Sequence, residues 1–355
     1  MISPTIDIIV PVWNNPFETR ACIAAILVHS PGARLVVVDN GGSRETELML
    51  EEFSESLGNK ALFIKSEKNV GQVAAINLGL ARSDSCYAVI VLPQVTVRAG
   101  WLETLVRVAE TTGAGLVSPM FSGTGAPELP GLAPGCTMTE SCRVTFSTLL
   151  MRREMRMVAG NFDEDLDGNE WCLAEYVRRV AARGYRTCIT DRLRLPCSAG
   201  QLYGSAQRRN EMIQHSRSVY LSRWGISRHY CVYFGPKIDA ASLGETIAAI
   251  LDGARQGHRF TLLLHRRQNS VFRKSGWNGL HSGIELYKLS FLFTSRDLVR
   301  KIERLRGDSP GLLPVRGSSE INFPGNEAAV PLDELLSYIG SQTTTVAVHT
   351  EELQP

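Results

Sequence analysis

Residues 69–101 constrain the fold more tightly than any other stretch of the chain. Asn69-Val70-Gly71 opens a helix that carries Asn77 and Gly79 and closes near Arg82. A strand follows over 87–92, Tyr-Ala-Val-Ile-Val-Leu, dense enough in aliphatic residues to be buried on both faces of a parallel sheet. It stops at Pro93-Gln94, and Ala99-Gly100-Trp101-Leu102 begins the next helix. The residues upstream show the same alternation. A strand at 6–12 ends in Pro11 and the polar turn Trp13-Asn14-Asn15-Pro16, and a helix over 18–29 stops at Ser30-Pro31-Gly32. A strand at 34–38 runs into the turn-forming run Asp39 to Ser43, followed by a helix at 45–57 and a strand at 61–65. Repeated β-α units predict an α/β fold with a mostly parallel, Rossmann-like layered sheet and helices on both faces. A ligand of such a sheet lies outside the carboxyl ends of the strands, here near residues 92–96.

Composition excludes several classes. With a net charge of +2, the chain has no global pull toward nucleic acid or an anionic surface, and its aromatics do not interleave with its basic residues. A nucleic-acid partner is therefore not expected. No apolar run reaches the roughly 18 residues of a membrane span, and no secretory pattern opens the chain, so a cytoplasmic protein is expected. The eight cysteines form no Cys-x-x-Cys and read as reduced, buried thiols rather than as disulfides or metal ligands. No metal-ligand cluster and no cofactor motif is visible.

The strand ends hold the candidate site residues. A carboxylate at Asp39 can accept hydrogen bonds from a base or ribose, or it can cap the helix that follows. Asn69 and Asn77 suit a ligand's edge, or equally a turn and the polar face of a helix.

Ile8-Ile9-Val10-Pro11-Val12-Trp13-Asn14, Val36-Val37-Val38-Asp39-Asn40-Gly41-Gly42-Ser43, and Asn69-x-Gly71 with Asn77-x-Gly79 resemble the nucleotide-binding half of a family 2 glycosyltransferase of GT-A fold. Gly100-Trp101-Leu102, Phe162-Asp163-Glu164, Arg179, Gly184-Tyr185-Arg186 and Arg217, Tyr220 with Arg223-Trp224-Gly225 extend the resemblance to about residue 226. It implies that Pro11, Val12, Asn14 and Asp39 hold the base and ribose of a nucleotide-sugar donor, with Asn69, Gly71 and Asn77 beside the diphosphate; Gln94, past the end of the strand at 87–92, is a further donor-binding candidate. It also implies inverting transfer of the sugar to an acceptor hydroxyl deprotonated by a carboxylate, with a divalent cation steadying the leaving diphosphate. The acceptor is left open among glycan, lipid-linked and protein molecules.

The chain departs from that pattern at three places. Leu92-Pro93-Gln94 stands where the family carries its Asp-x-Asp metal motif, and a hard cation needs anionic oxygens. Leu195-Pro196-Cys197-Ser198-Ala199 holds no histidine where the family often adds one. The family's Glu-Asp-x-Asp falls on Cys172-Leu173-Ala174-Glu175, which puts Leu173 at the base. The segment 163–170 carries five carboxylates and is one residue longer than the usual spacing, so Glu170 or Asp167 is the candidate base. Otherwise that segment is a solvated acidic loop. Two readings follow: a metal-independent glycosyltransferase, or a catalytically silent binding or scaffold module on the same fold.

A second pattern begins after residue 226. Strands at 231–234 and 259–264 flank a helix at 242–254, for which Ser242 and Glu245 form a capping box. The run His265 to Lys274 concentrates positive charge past a strand end, and Arg266 and Arg267 could meet the donor diphosphate in place of a metal. It could equally be an exposed basic loop. The expected organisation is a GT-A-like domain at 1–226, a small α/β domain at 227–310, and a Pro/Gly/Ser/Thr-rich tail at 311–355 with one short helix.

Overall fold

The computed structural model describes residues 4–166, 170–199, 205–238, 240–317 and 329–351, which divide into two compact units. The first holds Met1–Pro130 and Arg143–Gly225, the second Gly131–Cys142 and Ile226–Pro355.

In the first unit β1 (Ile6–Val12), α1 (Pro16–His29), β2 (Arg34–Asn40), α2 (Arg44–Leu57), β3 (Ala61–Ser66), α3 (Gln72–Leu80) and β4 (Tyr87–Val91) follow the alternation read from the sequence. Every residue of β4 is buried, as its aliphatic run requires. α4 (Trp101–Thr112) and β5 (Ala114–Ser122) continue the unit, while the short β6 (Met138–Glu140) belongs with the second unit. The first unit resumes with β7 (Thr148–Arg152), α5 (Arg153–Ala159), α6 (Glu170–Ala182), β8 (Arg186–Pro196) and α7 (Ala206–Trp224). Its strands lie in the order β3-β2-β1-β4-β7-β5-β8, all parallel except β7, which runs antiparallel to both β4 and β5. The chain therefore leaves β1 on one side for β2 and β3 and returns on the other for β4. That reversal opens a crevice above the carboxyl ends of β1 and β4.

Two buried polar groups of this unit are well paired, whereas the buried Thr19 hydroxyl has no hydrogen-bond partner among the described residues. The Asp7 carboxylate receives Arg34 Nε and Nη2, each at 2.8 Å. Burial pushes this carboxyl up, but the hydrogen bonds from Arg34, Ser83 and Ser85 outweigh it and hold the group below its ordinary range. Trp101 is wholly buried and donates its indole N–H to Ser30 Oγ at 2.9 Å. α3 lies against β1 at Gly79, where a Cβ would stand 2.5 Å from Ile9 Cγ2. Only a glycine permits that approach.

The second unit comprises β9 (His229–Tyr233), α8 (Ala240–Arg255), β10 (Arg259–Leu264), α9 (Arg266–Lys274), β11 (Ile284–Lys288), α10 (Thr294–Asp308), β12 (Leu312–Arg316), β13 (Val330–Pro331) and α11 (Leu332–Glu351). The sheet is wholly parallel in the order β11-β10-β9-β12-β13. Alternate residues of its strands feed two cores. Tyr230, Val232, Phe260 and Leu262 pack with Ile247, Phe272, Leu335 and Ile339 on one face. Cys231, Tyr233 and Leu263 pack with Leu298, Ile302 and Leu305 on the other. The strap Gly131–Cys142 adds β6, where Glu140 N–H donates to Leu280 O at 3.2 Å and the Glu140 carboxylate takes Arg255 Nε at 2.8 Å.

The structure corrects the expectation for the C-terminal part in three respects. The described residues of the expected tail, 312–317 and 329–351, form β12, β13 and the long helix α11 rather than one short helix. Val315, Leu335 and Ile339 are core residues, and α11 runs on to Glu351. Ser242 is the third residue of α8 rather than its N-cap, and the capping box lies instead at His265 and Gln268 of α9. The basic run past β10 is that helix, not a loop. No helix among the described residues is long and apolar enough to cross a membrane. None of the eight cysteines is joined in a disulfide.

Candidate functional site

Three loops meet at the carboxyl ends of β1 and β2 and at the start of α3. Pro11 and Val12 close β1 as buried strand residues, and Asn14 and Asn15 follow with φ of 57° and 55°. Two successive left-handed residues are costly for most side chains, and asparagine tolerates the region best after glycine. Asn14 Oδ1 then accepts the Ser43 N–H at 2.7 Å, tying the β1 loop to the β2 loop.

Asp39, at the end of β2, is 8% exposed. Among the described residues its carboxylate takes one hydrogen bond, from Gly42 N–H to Oδ1 at 3.2 Å. Its second oxygen accepts none among the described residues. Its neighbour Asn40, by sequence one turn former in the run Asp39 to Ser43, organises the next loop. Asn40 Nδ2 donates to Asn69 Oδ1 and to Gly71 O, both at 3.1 Å, and its Oδ1 accepts Val70 N–H at 2.9 Å. Asn69 Oδ1 also accepts Gly71 N–H at 2.9 Å, so that oxygen is occupied within the turn. Gly41 carries φ of 66°, and a Cβ there would stand 2.4 Å from the carbonyl carbon of Lys68. The β2 loop and the 69–71 turn thus form one hydrogen-bonded shelf at the N-terminus of α3.

Asn77 serves a different purpose from the one expected. Its Nδ2 donates to Phe162 O and Glu164 Oε1, both at 2.9 Å, and its Oδ1 accepts Phe162 N–H at 3.1 Å. The side chain is buried and joins α3 to the Phe162-Asp163-Glu164 segment. Glu164 thereby comes into the frame of the site, a placement that no spacing in the sequence announced.

At the end of β4, Leu92-Pro93-Gln94-Val95 makes a turn closed by Val95 N–H to Leu92 O at 3.0 Å. Beside it runs the stretch after β8. Thr96 N–H donates to Pro196 O at 3.1 Å, Ser198 N–H donates to Gln94 O at 3.0 Å, and Val95 bridges Cys197. The two stretches where the resemblance places metal ligands are therefore adjacent. Their side chains offer an amide at Gln94, a thiol at Cys197 and a hydroxyl at Ser198, but no carboxylate and no imidazole. Burial pushes the Cys197 thiol up, away from the thiolate form that a metal would need. Among the described residues no three His, Cys, Asp or Glu groups converge as a metal site.

In the segment after α5, Asp163 is paired with Arg223 and also accepts Asp165 N–H at 3.0 Å. Arg179 forms a two-pronged pair with Glu175 at 3.0 and 2.8 Å and donates to Ala159 O and Asn161 O. Burial disfavours its charge, yet the Glu175 carboxylate more than compensates and raises the guanidinium pKa. Leu173 is 5% exposed and belongs to the core. Glu170 opens α6 with a side chain 72% exposed and 3.4 Å from Arg143. Asp167 lies outside the described residues. Arg266 and Arg267 are exposed in the first turn of α9, in the second unit.

The mixed α/β sheet has its counterpart among solved structures. That of GalNAc-T7 with UDP, GalNAc and Mn2+ matches with a TM-score of 0.50 at 12% identity, covering 62% of this chain and 50% of that one. The fold is that of the GT-A glycosyltransferases. Residues 7–131 match the family model for glycosyl transferase family 2. Glycosyltransferase AglE of Haloferax volcanii is 28% identical over 117 residues, and glycosyltransferase GlyA of Streptococcus pneumoniae is 30% identical over 108. Those alignments take in 32% and 30% of this chain but only 38% of AglE and 15% of GlyA.

Proposed function

We propose that the first unit is a nucleotide-sugar-dependent glycosyltransferase that passes a sugar to an acceptor hydroxyl, with inversion, and without a divalent cation. The observation that carries this reading is the juxtaposition at the end of β4. Gln94 and the Cys197-Ser198 stretch lie side by side, where a carboxylate pair and a histidine would be needed for metal, and they supply only neutral groups. The shelf formed by Asp39, Asn40 and the 69–71 turn is nevertheless complete. A donor base or ribose is read by Pro11, Val12, Asn14 and the unpaired oxygen of Asp39. The diphosphate lies toward Asn69, Gly71 and Gln94, with the N–H groups at the start of α3 turned to its charge. Asn77 holds the acceptor-side segment in place rather than touching the donor.

Glu170 and Asp167 remain the candidates for the base. Glu170 is exposed at the first turn of α6, open to an incoming hydroxyl. A second reading, a silent binding module on the same fold, is favoured by one observation: Leu173 sits in the core at the position the resemblance assigns to the base.

Calorimetric titration with UDP, GDP and dTDP sugars, coupled to an assay of sugar release and repeated with EDTA, separates these readings. Binding and turnover insensitive to chelator support the first. Binding without turnover supports the second.

A further inference from the structure

The second unit presents three large apolar side chains in succession to solvent. Phe291, Leu292 and Phe293 are 74%, 78% and 61% exposed. They occupy the turn between β11 and α10, and that turn is held firmly. Leu289 is buried at its base and donates its N–H to Leu264 O at 2.9 Å. Ser290 N–H donates to Asp297 Oδ2 at 2.7 Å, and Thr294 Oγ1 donates to Ser290 O at 2.7 Å. The protrusion is thus built into the fold, anchored at both ends.

Its rim is cationic. The Arg266 guanidinium stands 5.9 Å from the Phe291 ring and the Arg296 guanidinium 6.0 Å from the Phe293 ring. The register Leu264↔Lys288 puts Lys288 and the Arg266-Arg267 pair at the same edge of the sheet. Between His265 and Arg296 the chain carries six Lys and Arg against a single acidic residue, Glu285. The nearby Asp297 carboxylate is engaged by Ser290.

We propose that this turn inserts into the interfacial zone of an anionic lipid bilayer, with Phe291, Leu292 and Phe293 among the acyl chains and Arg266, Arg267, Lys288 and Arg296 against the headgroups. Magnitudes favour a bilayer over a protein partner. Three side chains of this kind offer roughly 400 Å² of apolar surface, about half of what one partner contributes to a standard protein interface. A convex tip of that size cannot supply a stable interface alone, whereas a bilayer rewards each buried methylene and adds attraction for each cation. The inference concerns the second unit and is independent of the glycosyl-transfer reading.

Sedimentation of the full chain with vesicles of phosphatidylcholine, alone or mixed with phosphatidylglycerol, tests it. The wild-type chain is expected to pellet with the mixed vesicles, less so as salt is raised. The triple change F291S/L292S/F293S is expected to lower the partition coefficient at least about tenfold, with a nearly unaltered melting curve because the side chains are mostly exposed and belong to neither core of the second unit. The pair R266S/R296S is expected to cost about 25-fold on anionic vesicles, about fivefold per cation, and little on neutral ones. Wild-type chain left in the supernatant with both vesicle types would overturn the proposal, as would a triple variant that binds equally well. Dimers seen by light scattering that vanish in the triple variant, without vesicle binding, would overturn it in favour of self-association. Should a variant fail to fold, the headgroup and salt dependence of the wild-type chain decides alone.

Discussion

The two units begin with the same topological move and put their strand ends to different uses. In the first, β1 is flanked by β2 and then by the returning β4; in the second, β9 is flanked by β10 and then by the returning β12. Each sheet therefore has a reversal point. In the first unit the loops at the strand ends are asparagine- and glycine-rich and hydrogen-bonded to one another, through Asn14 to Ser43 and Asn40 to Asn69 and Gly71. In the second the strand ends carry arginines and an exposed Phe-Leu-Phe turn. A shared sheet order fixes where a ligand can be met, and the loops decide what is met there.

This comparison can be broken or sharpened by substitution. The largest effect is expected at Trp101, wholly buried and bonded to Ser30 in the first unit. Trp101→Ala should cost about 3–5 kcal/mol in denaturant unfolding monitored for the first unit. A loss below about 1 kcal/mol would mean that this core is not as described. Next comes Arg179→Met, which leaves the buried Glu175 without its partner and should destabilise by about 3 kcal/mol. Asn40→Ala removes the clamp on the 69–71 turn. Its three hydrogen bonds put the loss at about 1–3 kcal/mol, together with weaker nucleotide binding, whereas a change in the loops of the second unit should leave nucleotide binding untouched. Equal nucleotide affinity in Asn40→Ala and wild type would detach the shelf from the donor.

The smallest effect concerns acid. Asp7 has a folded pKa below its ordinary value of 3.8, so it binds its proton less readily in the native state than in the unfolded one. Its contribution to stability is present above that ordinary value and is lost as pH falls through the depressed one. Asp7→Asn should therefore flatten the stability profile on the acid side of pH 3.8, checked by melting temperature against pH.

Much of the first unit was legible because each early strand is a short aliphatic run ended by turn residues, which needs no knowledge of the partners. β7 escaped because it enters the sheet antiparallel between β4 and β5, a placement set by non-local register. β12 escaped for a local reason: Pro314 lies within it and lacks the N–H that a central strand offers. Asn40 looked like one turn former among several, since its partners lie about thirty positions further on. The direction of the Asn77 amide was likewise invisible without Phe162 and Glu164 beside it. What the residues could announce was the neutral character of the β4 turn, because that is a matter of side-chain chemistry and not of geometry.

The most direct test of the central claim is the rate of sugar transfer or donor hydrolysis by the full chain, measured in EDTA and again with added Mn2+. A rate unchanged between the two is the result expected from a site whose turn at Leu92 to Gln94 offers no carboxylate. Activity that vanishes in chelator and returns only with the metal would contradict it.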